Sequence, residues 1–374
     1  MNNEHRVLVF GLARQRLGGI ETFLLNMNEH MSSNVIFDYV VLTGPEECIH
    51  TDRIEKRKGK VFYVTSYTKN AIRYFYELNH LVRKEKDTHR IAYINLFSMT
   101  HILPAIICYK NGYKIVLHSH NSNMHSRNIF YRLLHNINRQ LFGSNKNFTK
   151  LTCSKKAADF MFGQGKNREA TLVYNAIDTE KYCFNQSYRN EIRDNLKIDE
   201  GIKIVGFVGR IAYQKNPFFL IDIFCELCKM RDDCKLLIIG DGEYRAEIER
   251  KIGELNLYKD TIILNSQKDI EKYYSAMDIF LLPSLFEGLP VVIVETQAAG
   301  LKSVVSSEAV TKEACICDDF IDYISLSEKP IVWAQTINED LNYIHNRNEW
   351  NNIVYQSDFN ILVEARKLQK YLID

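Results

Sequence analysis

No apolar run in this sequence approaches the ~20 residues of a membrane-spanning helix, which excludes a helical path through a bilayer. A cleavable secretory leader is not expected either, because Met1-Asn-Asn-Glu-His-Arg6 leads directly into the strand pattern Val7-Leu-Val-Phe10. The nine cysteines do not form a disulfide framework. They are scattered, and Cys108, Cys153 and Cys225 lie in apolar segments, which favours reduced thiols in a cytoplasmic protein. Cys225 and Cys228 make one Cys-x-x-Cys, but no second Cys/His pair stands at metal-ligand spacing. Their setting, Ile221 to Met230, reads as an amphipathic helix with the thiols packed in the core. Internal repeats and low-complexity segments are missing. So is a Gly-x-Gly-x-x-Gly phosphate loop, since Gly11-Leu-Ala-Arg-Gln-Arg-Leu-Gly18 follows the first strand pattern. That argues against a dinucleotide-dependent oxidoreductase.

What is present is an ordinary globular composition, 46% hydrophobic and 25% charged, over 374 residues. That length predicts two domains. Strand-like runs at Val7–Gly11, Val35–Thr43, Lys60–Thr65, Ile91–Leu96, Lys114–His118 and Leu151–Cys153 alternate with helical patterns such as Gly19–His30 and Asn70–Lys84. After the polar stretch Asn185–Glu200 a second series begins: Ile202–Val208, Lys235–Ile239, Thr261–Leu264, Asp278–Leu282 and Ser303–Val305. Such alternation predicts an α/β fold with two Rossmann-like domains, ligands lying at the strands' carboxyl ends. The expected division is 1–185, 186–355 and a terminal segment 356–374, in which Phe359–Leu372 reads as a helix.

The richest stretch runs from Leu281 to Glu295 and holds two carboxylates, Glu287 and Glu295, across a predicted strand–loop–helix junction. Asp278-Ile-Phe-Leu-Leu282 is short and apolar, as a buried strand is, and Pro283-Ser284 ends it. Glu287-Gly288-Leu289-Pro290 then opens a helix, with Pro290 suited to the first turn. The free N–H groups of that helix end attract anions such as phosphate. With a start near Leu289, Glu295 lies about 9 Å along the axis. One acid could meet a sugar beside the phosphates and the other a ribose beyond them.

This stretch, with Val294-Glu-Thr-Gln-Ala-Ala-Gly300, resembles the paired-glutamate signature of the family-4 retaining glycosyltransferases. Other motifs fall in that family's order: Gly18-Gly19-Ile20-Glu21, Leu117-His-Ser-His-Asn121, Asn175-Ala-Ile-Asp178, Gly206-Phe-Val-Gly-Arg210 with Lys215, and Gly240-Asp-Gly242. The resemblance covers nearly the whole chain. It implies the GT-B fold: two Rossmann-like domains facing across a cleft, the first for acceptor and the second for nucleotide sugar, with a last helix crossing back to the first.

It also implies roles. Arg210 and Lys215, after a strand's carboxyl end, would stabilise charge growing on a departing diphosphate. Gly18, Gly19, Gly288 and Leu289 would bind the donor with them, paired glycines permitting close backbone approach. His120 would face the donor sugar, with His118 as the alternative because both point to one side of the strand. Glu287 would contact sugar hydroxyls beside the anomeric centre, and Glu295 the ribose. A plainer alternative remains for each: a histidine satisfied in the core, a surface pair of cations, glutamates complementing a helix dipole. No Asp-x-Asp occurs, so the usual clamp for a divalent cation has no candidate; no metal and no cofactor are expected. Lys302 stands where related sequences carry proline, and Asn265 where they carry glycine.

The net charge of +2 conceals a basic segment: from His101 to Ala170, eleven Lys or Arg face two acids. Residues 126–142 read as a basic amphipathic helix with Ile129, Phe130, Leu133, Leu134, Ile137, Leu141 and Phe142 as its apolar stripe. Such a helix can lie on an anionic leaflet, each Lys or Arg contributing about 1 kcal/mol, or turn its stripe to the core. Its aromatic residues form no stacking platform, so nucleic acid is not an expected partner. The reading is a cytoplasmic enzyme, peripheral at the inner face of the plasma membrane. It moves a sugar from a nucleotide diphosphate sugar (UDP- ahead of GDP-) to a lipid-linked glycan of exopolysaccharide or capsule assembly. The alternative is a non-catalytic scaffold of such an assembly.

Overall fold

The computed structural model describes residues 4–373, except 16–18, 45, 122, 125–127, 166–167, 288, 344–345 and 348–350, and leaves the side chains of 351–352 undescribed. Two compact units emerge, Met1–Ala176 with Ile361–Asp374, and Ile177–Asn360. Their borders fall before 185 and after 355, because Asp178 already caps a helix of the second unit, accepting from the Lys181 N–H at 3.2 Å.

The first unit holds a seven-stranded parallel sheet. Its strands are β1 (His5–Phe10), β2 (Val35–Leu42), β3 (Val61–Val64), β4 (His89–Leu96), β5 (Lys114–Ser119), β6 (Phe148–Thr152) and β7 (Thr171–Leu172), in the order β3-β2-β1-β4-β5-β6-β7. The second holds six: β8 (Lys203–Val208), β9 (Cys234–Ile239), β10 (Thr261–Leu264), β11 (Ile279–Leu282), β12 (Ser303–Ser306) and β13 (Ile321–Ile324), in the order β10-β9-β8-β11-β12-β13. The direction in which successive strands are added reverses between β1 and β4 in one unit and between β8 and β11 in the other. In doubly wound sheets these switch points open the crevices where ligands bind. The edge strands β7 and β13 carry too short an apolar signal to be read from sequence.

Strands buried on both faces need continuous apolar runs, and Val35–Leu42 is one, interrupted only by Asp38. That carboxylate is fully buried and fully engaged. Arg6 donates to it at 2.9 and 2.7 Å, the Lys60 N–H at 2.7 Å, and His89 Nε2 lies 2.7 Å away. Burial pushes the Asp38 carboxyl up, but the hydrogen bonds from His89 and Arg6 outweigh it and hold it below its ordinary value.

The helix Ile361–Ile373 belongs to the first unit. Ile361, Ala365, Leu368 and Leu372 join Phe23, Leu24 and Met27 of the helix Gly19–His30 in one buried cluster. Glu364 accepts from the Tyr174 N–H at 2.8 Å.

The basic helix runs Ile129–Phe142; the expected start at 126 falls within 125–127, outside the described residues. Most of its stripe does not turn to the core, although Phe142 at its end packs against it. Ile129 is 74% exposed and Phe130 78%, and Leu133, Ile137 and Leu141 are exposed too. The attachment is polar instead: buried His135 accepts the Met99 N–H at 3.2 Å, and Asn138 donates to the Met99 carbonyl at 2.9 Å. Among the described residues no helix is long and apolar enough to cross a membrane.

Candidate functional site

In the second unit a cleft of about 560 Å³ opens at the carboxyl ends of β8, β9 and β10. Its walls are partly bare backbone. Gly209 and Gly240 have φ near +154° and +153°, and a Cβ on Gly240 would lie 1.9 Å from the Gly209 carbonyl oxygen. A Cβ on Gly242 would meet the Ile211 oxygen at 2.3 Å. Only glycine permits this approach, so Gly240-Asp-Gly242 shapes the cleft through its main chain. Arg210, Ser266, Gln267 and Glu295 also line it.

Lys215 and Glu287 meet at the switch point. The β8 strand leads into the turn Tyr213–Lys215, and β11 leads into the loop that carries Glu287. Lys215 Nζ lies 2.7 Å from Glu287 Oε1, with 13% and 7% of these side chains exposed. Gln214 donates to the other Glu287 oxygen at 3.1 Å and to the Phe286 carbonyl at 2.9 Å. The Leu285 N–H returns to the Gln214 carbonyl at 2.8 Å, so the two loops are stitched at three residues. The Lys215 stem passes Gly209, its Cε 3.3 Å from where a Cβ would be. An ammonium has three donors, so one N–H on Glu287 leaves Lys215 able to serve a second anion.

Arg210 differs in kind. Its side chain is 74% exposed, with Glu243 3.1 Å away as a surface partner. Glu295 sits inside the helix Val291–Ala298 and receives a 2.7 Å hydrogen bond from the Tyr274 hydroxyl. Burial raises the Glu295 carboxyl above its ordinary value, countered by hydrogen bonds from Tyr274 and Tyr182. A carboxylate offers about four lone-pair sites, so two tyrosines leave capacity for ligand hydroxyls. The helix starts later than expected. Val291 is its first residue and Pro290 its N-cap, which places Glu295 about 6 Å along the axis.

In the first unit, β5 brings His118 and His120 together, their ring centres 4.1 Å apart and each edge-on to Phe23. His118 is sealed inside, 2.5 Å from the Tyr93 hydroxyl; His120 stands just beyond the strand end. His120 Nε2 lies 2.8 Å from Asn95 Oδ1, and Asn95 Nδ2 donates to the Phe10 carbonyl at 3.0 Å. The Phe10 contact fixes the amide, so Oδ1 must accept and His120 Nε2 must donate. Burial lowers the His120 pKa to about 3, which keeps the ring neutral and leaves Nδ1 as a bare acceptor. Among the described residues this buried Nδ1 has no partner.

The second unit thus gathers Lys215 with Glu287, and Arg210 with Glu295, in two neighbouring groups on its own strand ends. Leu289 is buried just ahead of the helix, and Gly19 opens the first helix with nothing within 4 Å of its Cβ position. Gly18 and Gly288 lie outside the described residues. Sequence reasoning missed the residues that hold these groups: Gln214, Tyr182, Tyr274, Tyr93 and Asn95. Only Asn95 left a signal, as a polar residue inside the apolar strand Ile94-Asn-Leu96. Both departures from the family pattern find structural partners. Lys302 pairs with Asp322 at 3.0 Å, and Asn265 accepts from Arg245 at 2.9 Å.

Residues 188–355 match the family model described as glycosyl transferases group 1. EpsF of Bacillus subtilis (strain 168), a protein assigned as a glycosyltransferase, is 29% identical over 343 residues, covering 90% of this chain and 88% of that one. The UDP-Gal:alpha-D-GlcNAc-diphosphoundecaprenol alpha-1,3-galactosyltransferase of Escherichia coli is 27% identical over 217 residues, 54% of each chain. The crystal structure of Anabaena Alr3699/HepE in complex with UDP superposes with a TM-score of 0.79 at 16% identity, covering 98% of this chain and 99% of that one. The two parallel sheets are those of the GT-B fold.

Proposed function

We infer that this chain, a glycosyltransferase whose residues 188–355 form a glycosyl transferases group 1 domain, transfers a sugar from a nucleotide diphosphate sugar with retention of configuration and without a metal. The observation that carries this reading is the cleft at the ends of β8, β9 and β10, where Arg210, backbone of the Gly209 and Gly240 turns and Glu295 line one space. The ribose hydroxyls bond Glu295, and the diphosphate lies toward Arg210 and Lys215. As the sugar–phosphate bond lengthens, these cations take up the growing charge that a divalent ion would otherwise neutralise. The leaving phosphate receives the acceptor proton on the same face, and no side chain is assigned as general base. Glu287, held ready by Lys215 and Gln214, contacts the donor sugar and stabilises positive charge at the anomeric carbon. Neutral His120 accepts a hydrogen bond from a sugar hydroxyl at Nδ1, and we favour it over His118, which the core encloses.

A thermal-shift screen against UDP-, GDP-, ADP- and dTDP-sugars, with and without magnesium, tests the reading. UDP-sugars should give the largest shift, equal in both conditions; a shift that requires magnesium would refute metal independence. Glu295→Ala should weaken UDP-sugar binding by roughly 10–100-fold, the worth of hydrogen bonds to a charged group, and slow the saturated enzyme less. Equal loss in both quantities would remove Glu295 from the ribose.

The acceptor is a lipid-linked glycan of exopolysaccharide or capsule assembly, met at the cytoplasmic face of the membrane. The Escherichia coli relative, whose name specifies a diphosphoundecaprenol acceptor, and the exposed apolar stripe of Ile129–Phe142 support this. Phe130→Ser with Leu141→Ser should abolish most sedimentation with anionic vesicles. Unchanged sedimentation would refute the membrane role of that helix.

A further inference from the structure

Behind the His120 site the first unit contains a second space, about 500 Å³, at the switch point between β1 and β4. We propose that it receives the first isoprene units of a polyprenyl diphosphate-linked acceptor; this deepens the lipid-linked reading above and rests on it.

The walls are mostly hydrocarbon, and the polar side chains among them, Tyr67, Asn95, Thr100 and His101, bond one another or neighbouring residues. Leu42 and Val64 come from β2 and β3, Tyr74 and Leu78 from the helix Ala71–Lys84, and Tyr131 and Leu134 from the basic helix. No carboxylate lines the space among the described residues. A sugar would need convergent hydrogen-bonding groups, whereas a branched hydrocarbon needs only apolar surface and loses water contact on entry.

Three features point to a chain arriving from a lipid surface rather than a free apolar molecule. Leu134 is a half-exposed member of the stripe on Ile129–Phe142 and also lines the cavity, with half-exposed Tyr131 of the same helix beside it, so cavity and stripe meet in one continuous surface. Arg132 stands exposed on that helix beside Tyr131, within a segment whose eleven cations against two acids complement a diphosphate. Asn95, which orients His120, is also part of the cavity wall. An occupied cavity therefore abuts the residue that positions the histidine.

Titration calorimetry of the full chain with farnesyl diphosphate tests the proposal, with dimethylallyl diphosphate and inorganic diphosphate alongside and no vesicles present. Affinity should rise from inorganic diphosphate through dimethylallyl to farnesyl diphosphate. Leu42→Trp and Leu134→Trp, which fill the cavity from its partly exposed rim, should each weaken farnesyl diphosphate binding at least 10-fold. The UDP thermal shift should be unchanged in both. Phe130→Ser with Leu141→Ser should leave farnesyl diphosphate binding intact. The proposal is overturned if chain length does not matter, or if both tryptophan variants bind the probe as the unaltered chain does. Loss of the UDP shift in the unaltered chain would refute the nucleotide-sugar reading instead, since that readout involves no lipid.

Discussion

Arg210→Ala should lower turnover at least ~100-fold while the melting temperature stays where it was. The size follows from the role: a fixed cation facing a departing diphosphate stabilises charge that appears only in the transition state, by about 3 kcal/mol. The unchanged stability follows from position. Arg210 is 74% exposed and its ion-pair partner, Glu243, is a surface carboxylate, an arrangement that contributes little to folding. Lys215→Met should lower turnover comparably but also destabilise the chain, because Glu287 would remain buried without its cation. The pair of variants separates charge stabilisation from fold maintenance. Steady-state rates at saturating donor, with circular dichroism melts of the same samples, decide it. Normal turnover by Arg210→Ala would remove its leaving-group role, and normal turnover by both variants would remove that role from the pair.

Asp278→Ala should cost about 3–5 kcal/mol of stability, the usual loss when a buried ion pair is broken from one side. Asp278 precedes β11 and accepts from Arg189 at 2.7 Å, from Arg193 at 2.6 Å and from the Ile204 N–H at 2.8 Å. Arg347 packs close by, donating to the carbonyls of Tyr274 and Met277 at 2.8 Å each, and burial with its arginine neighbours lowers its pKa to about 9. One carboxylate thus balances several crowded guanidinium groups, and removing it leaves like charges together. Both tryptophans of the chain, Trp333 and Trp350, fall within the second unit's stretch of sequence, so tryptophan fluorescence in urea follows this unit. The midpoint should fall with the slope unchanged. A midpoint shift worth less than about 1 kcal/mol would mean that main-chain carbonyls alone satisfy the arginines.

The α/β architecture was legible because parallel strands buried on both faces need nearly continuous apolar runs, and Val35–Leu42, broken only by Asp38, or Lys235–Ile239 cannot hide such a run. The candidate site was legible only through the family resemblance, whose motifs single out Arg210, Lys215, Glu287 and Glu295 on segments that follow the strands β8 and β11. Their relations were not. That Lys215 pairs with Glu287 depends on where two loops remote in sequence come to rest, and nothing in their spacing encodes it. The fate of the stripe on Ile129–Phe142 was equally hidden, since helical periodicity marks an apolar face without saying what covers it. The start of the helix at Val291 moved because proline at 290 serves as N-cap and not as first-turn residue.

The helix Ile361–Ile373 has a consequence for biosynthesis. Its leucines complete the core laid down by Phe23, Leu24 and Met27, so the first unit stays unfinished until translation has passed the last of them. The intervening unit, made wholly from residues 177–360, has all its strands before then. A released chain that ends at residue 360 should therefore display a protease-sensitive first unit beside a resistant second one.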